Sequence, residues 1–165
     1  MKQNKKIKVK ARKSLSNKLI KHKKTYVVDT SSIILKFLPK LVKKGLKGKL
    51  IIPNAIIAEL ENLANKGKEE GFLGLEEIAK LHKFKVVNIK FEGPRPSENQ
   101  IRYAKSGEID ALIIGIARKN KATLITSDLV QAKSAQAYGL DVLFLKPRKK
   151  KEKKKKTFLE KLFKK

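Results

Sequence analysis

Cysteine and tryptophan are absent from this chain, and histidine occurs only as His22 and His82. A disulfide framework and a zinc site built on cysteine pairs are thereby excluded, so any bound metal must be held by oxygen. Aromatic residues make up only 6% of the sequence, which leaves few platforms of the kind on which the bases of a single strand stack. No apolar run approaches the length of a membrane span, and the basic amino terminus is not followed by the apolar stretch of a signal peptide. Integral membrane association is therefore not expected, and the cytoplasm is the simplest compartment. Acids are scarce as well: 15 Asp and Glu stand against 42 Lys and Arg, a formal net charge of +27.

That charge sits at the two ends. Residues 1–24 hold 11 Lys and Arg and no acid, while residues 146–165 hold 12 against Glu152 and Glu160. Removing +11 and +10 from +27 leaves +6 for residues 25–145. Lysine blocks of this density repel themselves and resist packing, so both ends are expected to be flexible arms that seek a polyanion. Nucleic acid and an anionic membrane surface both qualify. Within the second arm, Phe158, Leu159, Leu162 and Phe163 can share one face of a short helix, suited to docking on a protein partner or touching a membrane; the stub of a further domain explains them equally well. Between the arms, 41% hydrophobic residues over the whole chain suffice for one core.

Short Val- and Ile-rich runs alternate there with helical patterns. Tyr26–Asp29, Leu50–Ile52, Lys85–Ile89, Thr123–Thr126 and Asp141–Leu145 read as strands. Helices are expected from Ser31 or Ser32 to Lys44 with a kink at Pro39, from Pro53 to Asn65, from Leu73 to Lys83, in a short turn capped by Ser97 and Gln100, from Glu108 to Asn120, and from Asp128 to Tyr138. Five strands separated by helices imply an α/β domain with a parallel sheet covered on both faces. In such a sheet, ligands gather beyond the carboxyl ends of the strands, where the strand order reverses.

Four acids stand in otherwise apolar stretches at positions compatible with that location. Asp29 closes Tyr26-Val27-Val28, Glu59 lies within an Ile- and Ala-rich helix, Asp110 opens Ile109 to Ala117, and Asp128 follows Leu124-Ile125-Thr126-Ser127. Asp29 and Asp128 also suit helix N-caps, and Gln131 gives Asp128 the spacing of a capping box. Glu59 falls on the stripe marked by Ile56, Leu60 and Leu63, so its carboxylate should face the protein, whereas Glu61 should be a solvated surface charge. Asp110 suits a helix dipole, but the turns after it are apolar all round, which predicts a buried helix and a buried acid. Glu108, two positions away, should point elsewhere. Two carboxylates at 4 Å repel by roughly 4 kcal/mol at an effective dielectric of 20. A hard divalent cation, Mg2+ or Mn2+, relieves this repulsion. Thr30, Ser31, Thr126 and Ser127 flank the acids, either to orient carboxylates and water or as ordinary turn and cap residues. Neither histidine is placed as a base, and Gly45 to Leu50 lacks the spacing of a phosphate loop.

The segments VVDTSSII, IIPNAIIAELENLA, GEIDALIIGIA and LITSDLVQAKSA, in this order over about residues 25–145, resemble the PIN nuclease domain. More narrowly, NKGKEEGFLGLEE and RPSENQIRYAKSGEIDALI look like the amino-terminal PIN module of archaeal PIN-ATPase proteins, which continue into a motor and a KH-like segment. The resemblance implies a three-layer α/β/α fold with a five-stranded parallel sheet, assembly as a dimer or higher homo-oligomer, and Mg2+- or Mn2+-dependent cleavage of single-stranded RNA leaving a 5' phosphate and a 3' hydroxyl. Single-stranded DNA is a further possible substrate. This chain contains no motor, so a stand-alone form and a truncated form are both open and ATP-coupled function is in doubt. Asp29 and Asp110 are expected as direct ligands and Asp128 as a third, directly or through water; Glu59 would bind a second ion or position the water. Two other functions compete: a non-catalytic RNA-binding or assembly module of a PIN-ATPase system, and the toxin-type ribonuclease of a toxin–antitoxin pair.

Overall fold

The computed structural model describes residues 24–104 and 107–146. Most of both lysine-rich arms, with His22 and the Phe158–Phe163 segment, lies outside the described residues. Five strands, β1 (Lys24–Val28), β2 (Gly48–Pro53), β3 (Val87–Glu92), β4 (Thr123–Thr126) and β5 (Val142–Phe144), form one sheet in the order β3-β2-β1-β4-β5. All four pairings are parallel. The central strands explain why: Val27, Val28, Leu50, Ile51, Ile52, Leu124 and Ile125 are all fully buried, as expected of strands covered on both faces.

Parallel neighbours require crossover connections, which are right-handed in nearly every case. From β1 the chain moves outward through α1 (Thr30–Ile34) and α2 (Leu38–Lys43) to β2, then through α3 (Asn54–Asn65) and α4 (Glu69–Leu81) to β3. It then returns past β1 through α5 (Glu98–Tyr103) and α6 (Glu108–Lys119) to β4, and α7 (Leu129–Ala137) leads to β5. Reversing the direction of travel puts the later helices on the opposite face, which gives the α/β/α layering. The switch point lies between β1 and β4. Ile33, Ile56, Leu60, Leu81 and Ile113 pack the helices onto the sheet, each contributing about 1.5–3 kcal/mol by burial. Among the described residues, no helix is long and apolar enough to cross a membrane.

Three elements differ from the sequence-based expectation by more than two residues at a boundary. The helix expected from Ser31 or Ser32 to Lys44 is two helices, and Pro39 is not the break: it sits in the first turn of α2, where its missing N–H leaves no bond unmade. The break is at Lys36, at φ 56°. There the Lys36 N–H donates to Ile33 O at 2.9 Å and the Phe37 N–H to Ser32 O at 3.3 Å, the paired bonds of a Schellman cap. The same pair closes α2 at Gly45, α3 at Gly67, α6 at Lys121 and α7 at Gly139. Lysine at two of these five left-handed positions removes the glycine signal that marks the other three.

The second difference is the start of α4, at Glu69 instead of Leu73. Gly71 and Gly74 lie within the helix because α3 passes close by: a Cβ on Gly71 would stand 2.3 Å from the Ala64 nitrogen, and one on Gly74 would stand 2.4 Å from the Leu60 side chain. Glu69 and Glu70 occupy the first turn, where the helix dipole favours them. Third, β3 runs Val87–Glu92 rather than Lys85–Ile89, in register from Gly48↔Val87 to Pro53↔Glu92. The short helix capped by Ser97 and Gln100 has both capping-box bonds, at 2.8 and 3.2 Å.

Candidate active site

The carboxyl ends of β1 and β4 meet at the switch point, and there the four acids line one cleft of about 370 Å³. Asp29 extends β1 by one residue, its N–H donating to Ile125 O of β4 at 3.2 Å. It is the N-cap of α1, with Oδ1 accepting from the Ser32 N–H at 2.8 Å. Its other oxygen, Oδ2, accepts from Ser31 Oγ and from Thr126 Oγ1, each at 2.6 Å. Asp29 is thus a cap and a cleft residue at once. It is 3% exposed, and its three donors fix the carboxylate's orientation.

The hydroxyls around it form a connected set. Ser127 donates through both its N–H (3.0 Å) and its Oγ (2.6 Å) to Ser31 Oγ. Thr126, fully buried, accepts from the Asp128 N–H at 2.9 Å while donating to Asp29. Thr30 Oγ1 donates to Glu59 Oε2 at 2.5 Å. Three of the four flanking hydroxyls therefore bond a carboxylate directly, and Ser127 acts at one remove.

Glu59 is half-buried on α3. Burial first, then the Asp110 and Asp29 charges, raise its pKa, against the lowering effect of the Thr30 hydroxyl. Asp110, in the first turn of α6, is also half-buried, and its pKa is raised by burial and by the Asp128 and Asp29 charges. The expectation that α6 is enclosed all round does not hold. Ile113, Ile114, Ile116 and Ala117 are buried, but Ala111, Gly115 and Arg118 face solvent. Small side chains on that outer face had disguised an amphipathic helix as an apolar one. Asp128 is exposed at the rim; it caps α7 by accepting from the Val130 and Gln131 N–H groups at 2.7 and 3.1 Å. Glu108 is exposed and does not line the cleft. Glu61, expected to be a solvated surface charge, is partly exposed and pairs with Arg95 at the surface.

Gln131 is the residue that sequence reasoning misplaced. Its side chain does not turn back to complete a capping box; the Asp128 N–H is taken by Thr126 instead. Gln131 is 1% exposed and donates from Nε2 to Asp110 Oδ1 at 2.8 Å, while its Oε1 is buried without a partner. No periodic signal marked it: α7 exposes its large apolar residues Leu129 and Val130 and buries Gln131, Ala132 and Ala135, unlike α3, where an apolar stripe points to Glu59.

No lysine or arginine among the described residues forms a salt bridge with any of these four acids. Nor, among those residues, do three acidic or imidazole side chains converge closely enough to grip an ion as they stand. The donor set nevertheless fits a hard cation. All the candidate donors are oxygens, and Mg2+ commonly takes one or two carboxylates and keeps several waters, for which the cleft has room.

Residues 26–139 match the PIN domain. The chain is 43% identical over 127 residues to a KH and PIN-domain containing protein of Methanocaldococcus jannaschii; the match covers 74% of this chain and 20% of that protein. The chain thus spans about a fifth of that relative's length. A solved domain of a protein of unknown function from the same species superposes with a TM-score of 0.72 at 37% identity, covering 76% of this chain and 93% of that one. A PilT N-terminus domain protein from Sulfolobus solfataricus P2 gives a TM-score of 0.43 at 16% identity, over 72% and 85% of the two chains. With the parallel sheet, the matched segment and the M. jannaschii likeness in agreement, this chain belongs to the PIN domain family, whose members are generally metal-dependent nucleases.

Proposed function

We propose that the chain is a Mg2+- or Mn2+-dependent endoribonuclease that hydrolyses phosphodiester bonds of single-stranded RNA at the cleft between Asp29, Glu59, Asp110 and Asp128. One observation carries this. In a chain of net charge +27, four carboxylates line a single cleft and none has a basic partner among the described residues. Burial first, and then the neighbouring carboxylate charges, raise the pKa of Glu59 and Asp110, and an exogenous cation offsets both.

Asp29 and Asp110 are assigned as direct ligands, because each is held from behind, by three donors and by Gln131 respectively. Asp128 at the rim is a third ligand, directly or through water. Glu59, steered by Thr30, serves a second ion or the attacking water. A divalent cation bound there supplies the charge that acidifies a water and neutralises the phosphate. The chain itself holds the carboxylates apart, and Ile101, Ala104 and Ile109 form the cleft's apolar wall. The basic arms supply sequence-independent attraction for phosphate, so binding should weaken steeply with salt. The relative that combines PIN with KH, a single-strand RNA-binding module, supports the choice of RNA; single-stranded DNA is the comparison substrate. Cytoplasmic location and self-association, as in other family members, complete the proposal.

A non-catalytic RNA-holding module is the second reading, favoured by the lack of convergence of the carboxylates. End-labelled single-stranded RNA incubated with the wild type and Asp110→Asn, with Mn2+ or with chelator, separates the two. Cleavage confined to wild type with Mn2+ supports the nuclease. Intact RNA in every lane, with binding retained, supports the module.

A further inference from the structure

The cleft does not end at the acids. Ala104 and Ile109 form part of its wall and also part of a second groove of about 430 Å³. That groove is lined by Pro94, Arg95 and Pro96 of the loop after β3, by Gln100 and Tyr103 on α5, and by Glu108 and Leu112 on α6. Its surface is mainly apolar, in contrast to the polar cleft it joins.

Tyr103 is the unusual member. The chain has three tyrosines. Tyr26 is buried in the core, and Tyr138 lies under the Arg118 guanidinium at 4.9 Å. Tyr103 is 75% exposed, and among the described residues its ring stacks on no aromatic or cation and its hydroxyl makes no hydrogen bond. An unpartnered aromatic on the rim of an apolar groove that opens into a phosphate-directed cleft has the composition of a stacking platform. Arg95, which lines the same groove, is anchored by Glu61 and still about half exposed.

We propose that this groove is a nucleobase subsite: an unpaired base next to the phosphate at the four acids stacks on Tyr103, between the two prolines and the Leu112 side of α6. This rests on the single-strand reading above and gives it a location. Continuity with the carboxylate cleft favours a nucleotide over a proline-rich or other peptide, for which the cleft would have no use. Arg95, Gln100 and Glu108 are the polar members of a mainly apolar lining, so the subsite holds a base chiefly by its face and is tolerant of sequence.

The test uses the full chain in chelator, so that binding is read without cleavage, at a salt concentration high enough to weaken the arms. Fluorescence anisotropy measures a short single-stranded oligoribonucleotide and an abasic oligomer with the same number of phosphates. Tyr103→Ala should weaken the oligoribonucleotide about five- to a hundredfold, the range of one lost base stack. Tyr103→Phe should restore it, and both variants should bind the abasic oligomer as wild type does. Equal binding of the oligoribonucleotide by Tyr103→Ala and wild type overturns the proposal, as does an equal loss on the abasic oligomer or no binding by wild type. Cleavage is scored separately with Mn2+. A chain that binds through Tyr103 and does not cut loses the nuclease reading and keeps the subsite; one that cuts but ignores Tyr103 does the reverse.

Discussion

Replacing Thr126 by valine should destabilise the fold far more than a change of one hydroxyl suggests. Thr126 is 0% exposed, and its oxygen both donates to Asp29 at 2.6 Å and accepts from the Asp128 N–H at 2.9 Å. Valine has nearly the same shape, so no cavity forms and the loss is polar. A hydrogen bond to a charged group is worth about 1.5–3 kcal/mol, and a buried N–H left without a partner costs about 1–3 kcal/mol. One more buried methyl returns roughly 0.8 kcal/mol. A net loss of about 2–5 kcal/mol follows, which for a domain of this size lowers Tm by about 4 °C per kcal/mol. Urea and thermal unfolding followed by circular dichroism give the number. The cycle with Asp29→Asn apportions it: if Thr126 acts through Asp29, the two losses should fall short of additivity by about 0.5–3 kcal/mol. A Thr126→Val loss below about 0.5 kcal/mol, within the range of an ordinary surface change, would refute the reasoning, as would strict additivity.

Gln131→Leu removes the donor to Asp110 together with a buried orphan oxygen. Stability should change little, because an apolar replacement leaves no unpaired oxygen, while Mn2+ affinity measured by calorimetry should fall about 10- to 100-fold; unchanged affinity would make Gln131 merely structural. Lys36→Gly should raise stability by up to about 1–2 kcal/mol, the penalty of a left-handed non-glycine residue, read as a higher urea midpoint; a lower midpoint would mean that its side chain matters more than its backbone. Glu77 is 2% exposed on α4 with Oε1 unpartnered, and burial raises its pKa against the lowering influence of Lys80, Lys36 and Lys40. A folded pKa above the unfolded one means that the ionised form is the costly one above the folded pKa, and that this penalty fades as pH falls through it. Glu77→Gln should therefore be more stable than wild type at neutral pH and lose that advantage in acid; an advantage that grows on acidification would contradict the assignment.

The centre of the sheet was legible in the sequence because its strands are buried on both faces: Tyr26–Val28 and Thr123–Thr126 have no polar alternation to blur them, whereas β3, largely exposed, was displaced. Helix ends were legible where glycine occupies the left-handed cap, at Gly45, Gly67 and Gly139, and α6 ends within a residue of the expected Asn120 despite Lys121 at its cap, whereas the end at Lys36 was hidden. Gly71 and Gly74 misled in the opposite sense, since they serve a close helix crossing that only the third dimension reveals. The four acids could be collected from their apolar surroundings and from the rule that sites form at a switch point. How far each is buried could not. Asp29 is enclosed by three donors from two elements, α1 and β4, whereas Asp128 stays at the rim. Contacts separated by 96 or 97 residues, such as Ser127 to Ser31 and Thr126 to Asp29, leave no periodic trace. Gln131 left none either, because α7 exposes Leu129 and Val130 while burying Gln131, and local capping chemistry offered a competing explanation for it.

The central claim is that these carboxylates are a site for a hard divalent cation, and Mn2+ binding followed by electron paramagnetic resonance tests it most directly. Titrating the full chain with Mn2+ should remove one or two equivalents of the free-ion signal. Mg2+ should displace them, and Asp29→Asn and Asp110→Asn should each abolish or sharply weaken the binding, whereas Glu61→Gln, outside the cleft, should leave it unchanged. Wild-type protein that leaves the free Mn2+ signal intact, or binding that survives both cleft substitutions, would contradict the account.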